Sequence, residues 1–295
     1  MKAAWPHGIT DDEYLVPTAA GIEIFMASRR ASEGPAVLLL HGLGVGWRYW
    51  DLAAPGYSTM DFLARKRLQV FALDHRGYGR SSPVDGWSVR AERAVDDVRA
   101  AIDRIRQETG LDRVHLVGHS WGGMVALMTA ARFGSAVASL AVVGTPYLTL
   151  HESFRREIDE FDLSQAPTDG WVRNETHLAM EGFLYSYDAG VIDEYKAVVS
   201  THYPRLPLGI ILDVRELPHA PSVREIDCPT LVVCGTLDDV VERADALRML
   251  DDLASARKDL LLLGNTAHLP GLERLAHRRV DLALAAWVED TTPPE

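Results

Sequence analysis

Short runs of apolar residues alternate along most of the chain with longer segments whose apolar positions recur at helical spacing. Segments 22–27, 36–40, 68–73, 113–117, 138–143, 230–234 and 259–263 are brief and mostly apolar, which predicts strands covered on both faces. Within 89–108, Val95, Val98, Ile102 and Ile105 recur at three- and four-residue intervals, and Gly110 follows as a stop. Segments 121–133 (ended by Gly134), 242–253 and 272–288 predict three further helices. Strand and helix in alternation predict an α/β fold, a doubly wound, mostly parallel sheet with helices on both faces.

The alternation breaks between Pro146 and Glu225. That stretch is rich in aromatics, reads as several helices and ends in a segment punctuated by Pro204, Pro207, Pro218 and Pro221. It predicts an inserted helical cap, or lid, over 146–225, on a core formed by 1–145 and 226–295. The cap holds 14 acidic residues against 7 Lys and Arg, so it carries more than half of the chain's net charge of -12.

A length of 295 residues with 47% apolar content suffices for one sizeable core without disulfides or metals. The negative charge argues against nucleic acid and anionic membrane as partners and favours a small molecule. Cys228 and Cys234 flank an apolar segment that reads as a strand; there they lie too far apart to bridge and are expected as buried thiols. Residues 1–15 lack the apolar stretch of a signal peptide, and no later run approaches a membrane span. These features predict a soluble, cytoplasmic protein. Nothing in the pattern speaks to oligomeric state.

In an open parallel sheet, ligand and reacting groups gather in the loops at the carboxyl ends of strands. After 113–117 comes Gly118-His119-Ser120-Trp121-Gly122-Gly123, which satisfies GxSxG. The pattern alone is weak, but here a strand precedes it, a helix follows, and small residues stand where a sharp turn would crowd a side chain. Such a turn strains Ser120 and lifts its Oγ clear of the sheet, before a helix N-terminus that favours negative charge. A serine hydroxyl needs a base, usually a histidine held by a carboxylate. Of 11 histidines, His268 stands in the loop after the last strand. In the preceding loop, Gly235-Thr236-Leu237-Asp238-Asp239, the GxxD spacing sets Asp238 just beyond the strand end and makes it the candidate; Asp239 is assigned to a helix cap or to solvent. His119 reads as a loop or core hydrogen-bonding residue. A serine in a glycine-rich turn and a loop histidine are each unremarkable, so specificity comes from their combination at successive strand ends.

An acyl-transfer site also needs two backbone N–H groups for an oxyanion. Trp121, just after the serine, supplies one, with its indole available to wall a pocket. The loop His41-Gly42-Leu43-Gly44-Val45-Gly46 supplies the other, with Leu43 as candidate. The glycines of that loop are spaced GxGxG rather than GxGxxG, so a dinucleotide site is rejected.

Taken together these residues resemble the α/β-hydrolase superfamily over nearly the whole chain. The likeness rests on His41-Gly42, on Asp74-His75-Arg76-Gly77-Tyr78-Gly79-Arg80-Ser81-Ser82, on the nucleophile elbow at Ser120, and on Asp238 and His268 in Ser, Asp, His chain order. The resemblance implies a catalytic triad of those three residues, a helical cap between the sixth and seventh core strands, and a loop-ordering role for Asp74 and Arg76. Epoxide hydrolases and haloalkane dehalogenases of this superfamily place aspartate where Ser120 stands. Proline iminopeptidases usually carry GGSWGS, from which His119 and Gly123 depart. The expected activity is therefore hydrolysis of an ester, lactone or thioester of a small, partly apolar molecule, highly anionic thioesters being disfavoured by the acidic cap. Trp47, Trp50, Phe161, Trp171, Phe183 and Tyr187 are the pocket candidates, though for any one of them packing of cap on core is the better explanation and only collectively must some line the pocket. No metal or organic cofactor is implied. An aminopeptidase that uses the acidic cap to hold an ammonium, a non-hydrolytic lyase and a small-molecule receptor are the alternatives.

Overall fold

The computed structural model describes residues 10–31, 33–217 and 223–292. Residues 1–9, Pro218 and Pro221 lie outside them, so the readings made there are left as expectations.

In chain order come β1 (Thr10–Pro17), β2 (Glu23–Arg30), β3 (Ala36–Leu40), α1 (Thr59–Arg65), β4 (Gln69–Leu73), α2 (Ala91–Thr109), β5 (Val114–His119), α3 (Trp121–Phe133) and β6 (Val137–Val143). There follow α4 (Glu152–Glu160), β7 (Trp171–Arg173), α5 (Ala189–His202), β8 (Arg205–Pro207), α6 (Leu208–Arg215), β9 (Thr230–Gly235), α7 (Arg243–Asp252), β10 (Lys258–Leu263) and α8 (His277–Thr291). The main sheet runs β1-β2-β4-β3-β5-β6-β9-β10; β1 and β2 are antiparallel to their neighbours and the rest are parallel. None of its strands comes from between β6 and β9, where β7 and β8 pair separately as an antiparallel ribbon.

All seven strands expected from the apolar runs form, with ends shifted by a few residues. The strand β1 was not foreseen, because an edge strand reading TDDEYLVP keeps a polar face. The helix expected at 272–288 starts only at His277; a single 3-10 turn, Pro270–Leu272, precedes it, and the chain then turns Glu273 inward, fully buried. The stop at Gly110 has a plain cause: its φ of +74° is left-handed, and its N–H returns to the Arg106 carbonyl. Gly134 is different, since it stays right-handed and leads into a 3-10 turn.

Each face of the sheet is covered. Val95, Val98, Ile102 and Ile105 of α2 are at most 2% exposed and, with α3 and α7, form one core layer. Burial of this kind contributes roughly 1.5–3 kcal/mol per large side chain. The opposite layer holds residues of α1, α5 and α8. Both cysteines are buried and free, as expected, and burial pushes their thiols up to about 11 and about 12.

The topology decides where a site can form. From β3 the chain crosses to β4 on one side, then returns past β3 to β5 on the other, so the loops after β3 and β5 diverge at a switch point. Pairing of Leu40 with Gly118 brings the His41 loop beside Ser120.

Candidate active site

Ser120 joins β5 to α3 with φ +53° and ψ -123°, a conformation costly for a residue with a Cβ. It is held there by its N–H, which donates to the Val143 carbonyl at 2.9 Å, and by neighbours that tolerate no side chain. A Cβ at Gly118 would collide with Gly122, and one at Gly122 with the His41 carbonyl.

The loops after β9 and β10 bring Asp238 and His268 to this turn. Ser120 Oγ lies 3.0 Å from His268 Nε2, and His268 Nδ1 lies 3.1 Å from both carboxylate oxygens of Asp238. All three residues are 7–8% exposed. Asp238 Oδ1 also accepts the N–H groups of Val240 and Val241, each at 2.9 Å. Burial alone would raise this carboxyl, but the charge and hydrogen bond of His268, aided by the two N–H groups, hold it below the usual range. An ionised carboxylate only accepts, so the imidazole carries its proton on Nδ1 and turns a lone pair on Nε2 toward the serine hydroxyl. Gly144, at the end of β6, lies beneath this pair, where a Cβ would stand 3.2 Å from His268 Nδ1.

Asp239 does not cap the next helix and is only partly exposed. The helix α7 begins at Arg243, too late for Asp239 to cap, and Asp239 Oδ1 is buried without a hydrogen-bond partner among the described residues.

Gly42, next to Leu43, packs so closely on the elbow that a Cβ there would stand 3.0 Å from Ser120 Cβ. Trp121 opens α3, so its N–H belongs to the first helical turn, which has no acceptor within the helix. Its indole does not wall a pocket: it is 1% exposed, lies edge-on to His75 and donates to Asp213 Oδ2 at 2.8 Å.

The aromatic candidates divide. Trp47 lies against Phe25 and under the Arg48 guanidinium, while Trp50 packs edge-on to Tyr49. Trp171 donates its indole N–H to the Val84 carbonyl at 2.8 Å and meets Tyr78, joining β7 to the sheet layer. Each of these three has a packing role that needs no substrate. Phe183 is half-buried, whereas Phe161 and Tyr187 are 37% and 40% exposed. A cavity of about 490 Å³ between the loop after Trp50 and α5 is lined by none of Ser120, Asp238 and His268. Its carboxylates are already engaged, Asp188 by the Tyr57 hydroxyl and Glu194 by the N–H groups of Ala53 and Ala54.

Several further residues support the site, Glu273 among them without any local signal in the sequence. Glu273 accepts the Ala267 N–H at 2.6 Å and the Ser186 N–H at 3.3 Å, tying the His268 loop to the segment between β6 and β9. Asp74 accepts the N–H groups of Trp47 and Arg80, and Arg76 forms a two-bond pair with Asp97.

Residues 35–275 match the family model described as alpha/beta hydrolase fold. The chain is 30% identical over 234 residues to the mouse "Serine hydrolase BPHL", covering 79% of this chain and 74% of that one. With the human "Epoxide hydrolase 4" it shares 32% identity over 114 residues, 38% of this chain. It spans only 28–42% of the length of the epoxide hydrolases it matches. A thermophilic esterase from Thermogutta terrifontis superposes with a TM-score of 0.72 at 21% identity, over 96% of this chain and all of that one. The chain belongs to the α/β-hydrolase family. No helix among its described residues is long and apolar enough to cross a membrane.

Proposed function

We propose that this protein is a serine hydrolase that cleaves a carboxylic ester, lactone or thioester of a small, partly apolar molecule through an acyl-enzyme on Ser120. The observation that carries the reading is the unbroken chain from Ser120 Oγ through His268 to Asp238, with bonds of 3.0 and 3.1 Å. The strained backbone at Ser120 and the similarity to a protein named a serine hydrolase support it.

Ser120 Oγ attacks the acyl carbon while its proton passes to His268 Nε2. Asp238 stabilises the imidazolium through Nδ1, and the N–H groups of Leu43 and Trp121 receive the oxyanion. Collapse expels the alcohol or thiol, which takes the proton from Nε2. Water then attacks the acyl carbon, giving its proton to Nε2, and the second collapse returns that proton to Ser120. Segment 146–225 acts as a cap, and the substrate is the only partner the reading requires. Asp188, Glu194 and Asp213 of the cap accept bonds from the protein itself, which favours a neutral substrate over an ammonium.

Covalent labelling by a fluorophosphonate tests the reading. Wild-type protein labels at Ser120 and hydrolyses p-nitrophenyl butyrate; Ser120→Ala does neither. Wild-type protein that does not label overturns the reading and leaves a receptor or lyase on the same scaffold.

A further inference from the structure

Two polar side chains from the segment between β6 and β9 are buried against the two loops that carry Leu43 and Trp121. Asn174 follows β7 and is 2% exposed. Its Nδ2 donates to the carbonyls of Gly44 and Tyr203, each at 2.8 Å, and its Oδ1 accepts the Thr176 hydroxyl at 2.6 Å and the Thr176 N–H at 3.2 Å. Only one orientation of the amide works, since the reverse would set its oxygen against two carbonyls. Gly44 sits in a left-handed turn at φ +78°, with its N–H directed at the Tyr78 hydroxyl at 3.5 Å. The two peptides that follow Leu43 are therefore both held from outside the loop.

On the other side, Asp213 of α6 is 4% exposed. Its Oδ2 accepts the Trp121 indole N–H at 2.8 Å and the Ala91 N–H at 2.7 Å, and its Oδ1 accepts Arg90 Nε at 2.5 Å. Three donors from the sheet layer thus converge on one carboxylate of the inserted segment. The first residue of α3 is fixed by its side chain as well as by its place in the helix.

We propose that Asn174 and Asp213 are positioning residues for the oxyanion hole, so that the inserted segment sets the two backbone N–H groups in place. The inference rests on the acyl-enzyme reading above. Neither side chain touches the reacting atoms; each acts through a peptide or ring that it orients. Oxyanion donors act only in the transition state, and one misplaced by about 1 Å can cost on the order of 100-fold in rate.

The test uses the full chain, p-nitrophenyl butyrate as substrate, and an aryl boronic acid that adds to Ser120 as a tetrahedral anion. Asn174→Asp and Asp213→Asn are each expected to lower kcat about 30- to 300-fold with KM within threefold. Boronic acid affinity falls in the same proportion as kcat/KM. Trp121→Phe, which removes the indole N–H together with the pyrrole ring, lowers kcat in the same direction. Should Asn174→Asp or Asp213→Asn unfold, Thr176→Val and Trp121→Phe decide on the same readouts. Folded variants that keep wild-type kcat and boronic acid affinity, or that raise KM alone, overturn the positioning role while wild-type labelling at Ser120 leaves the acyl-enzyme reading standing. Absence of that labelling overturns both.

Discussion

The ring of His119, one residue before Ser120, donates through Nε2 to the backbone carbonyl of His268 at 2.9 Å. A carbonyl only accepts, so Nε2 carries the proton, and the ring is stacked on Tyr49, whose hydroxyl bonds the Gly271 backbone. Burial, reinforced by the charge of nearby His268, pushes the His119 imidazole down to about 3, so it stays neutral at working pH. His119 thus braces the loop that carries His268, the proposed base. His119→Ala is expected to reduce kcat about 10- to 100-fold, and His268→Ala by about 10⁴ or more. Steady-state ester hydrolysis ranks the two, and the opposite ranking would exchange the assignments.

Asp238 and Asp239 are neighbours with different surroundings, and only Asp238 meets His268 Nδ1. Asp238→Asn offers an N–H where the imidazole already has one, which is expected to cost about 10³- to 10⁴-fold in kcat. Asp239→Asn is expected to change kcat less than about threefold. Equal losses from both would contradict the geometry.

Arg76 and Asp97 form a pair at 2.6 and 2.7 Å whose side chains are 6% and 1% exposed. Asp97→Ala leaves a guanidinium buried with the Arg93 carbonyl as its remaining partner among the described residues, at a cost of about 3–5 kcal/mol. The double change Arg76→Met, Asp97→Leu removes both charges and is expected to recover most of that loss. Urea unfolding followed by circular dichroism measures both; a stability unchanged in Asp97→Ala would mean the pair is dispensable.

Asp281 of α8 is 2% exposed and accepts the Thr59 hydroxyl at 2.8 Å. Burial raises its carboxyl from 3.8 to about 6. The native state then holds this proton to higher pH than the unfolded chain does. Stability from the group is full below 3.8 and is lost as pH rises through about 6. Asp281→Asn keeps an acceptor for Thr59 and removes the titration. Relative to wild type it is expected to gain on the order of 2–3 kcal/mol between pH 4 and pH 8. Unfolding free energies that run parallel across that range would refute the raised value.

Trp171 is buried with its indole N–H bonded to Val84, while Phe161 and Tyr187 are 37% and 40% exposed. Trp171→Ala is expected to destabilise by about 3–5 kcal/mol, and Phe161→Ala or Tyr187→Ala by no more than about 0.5 kcal/mol. Thermal melts separate these outcomes. A large KM change in Tyr187→Ala with no loss of stability would instead give that ring a substrate.

The sequence by itself determined which loop follows which strand. Apolar runs and helical spacing are local properties, and chain order assigns Ser120, Asp238 and His268 to the ends of β5, β9 and β10 without reference to distance. It did not reveal β7 and β8, three residues each, which are too short to show a period. Nor did it reveal the residues that brace the loops. Asn174 reaches Gly44 across 130 positions and Asp213 reaches Trp121 across 92, far beyond the range of any local pattern. Only the packed structure buries these groups, and once buried each must find a hydrogen-bond partner or cost the fold about 1–3 kcal/mol. That requirement acts through space, so no pattern along the chain encodes which partner is met.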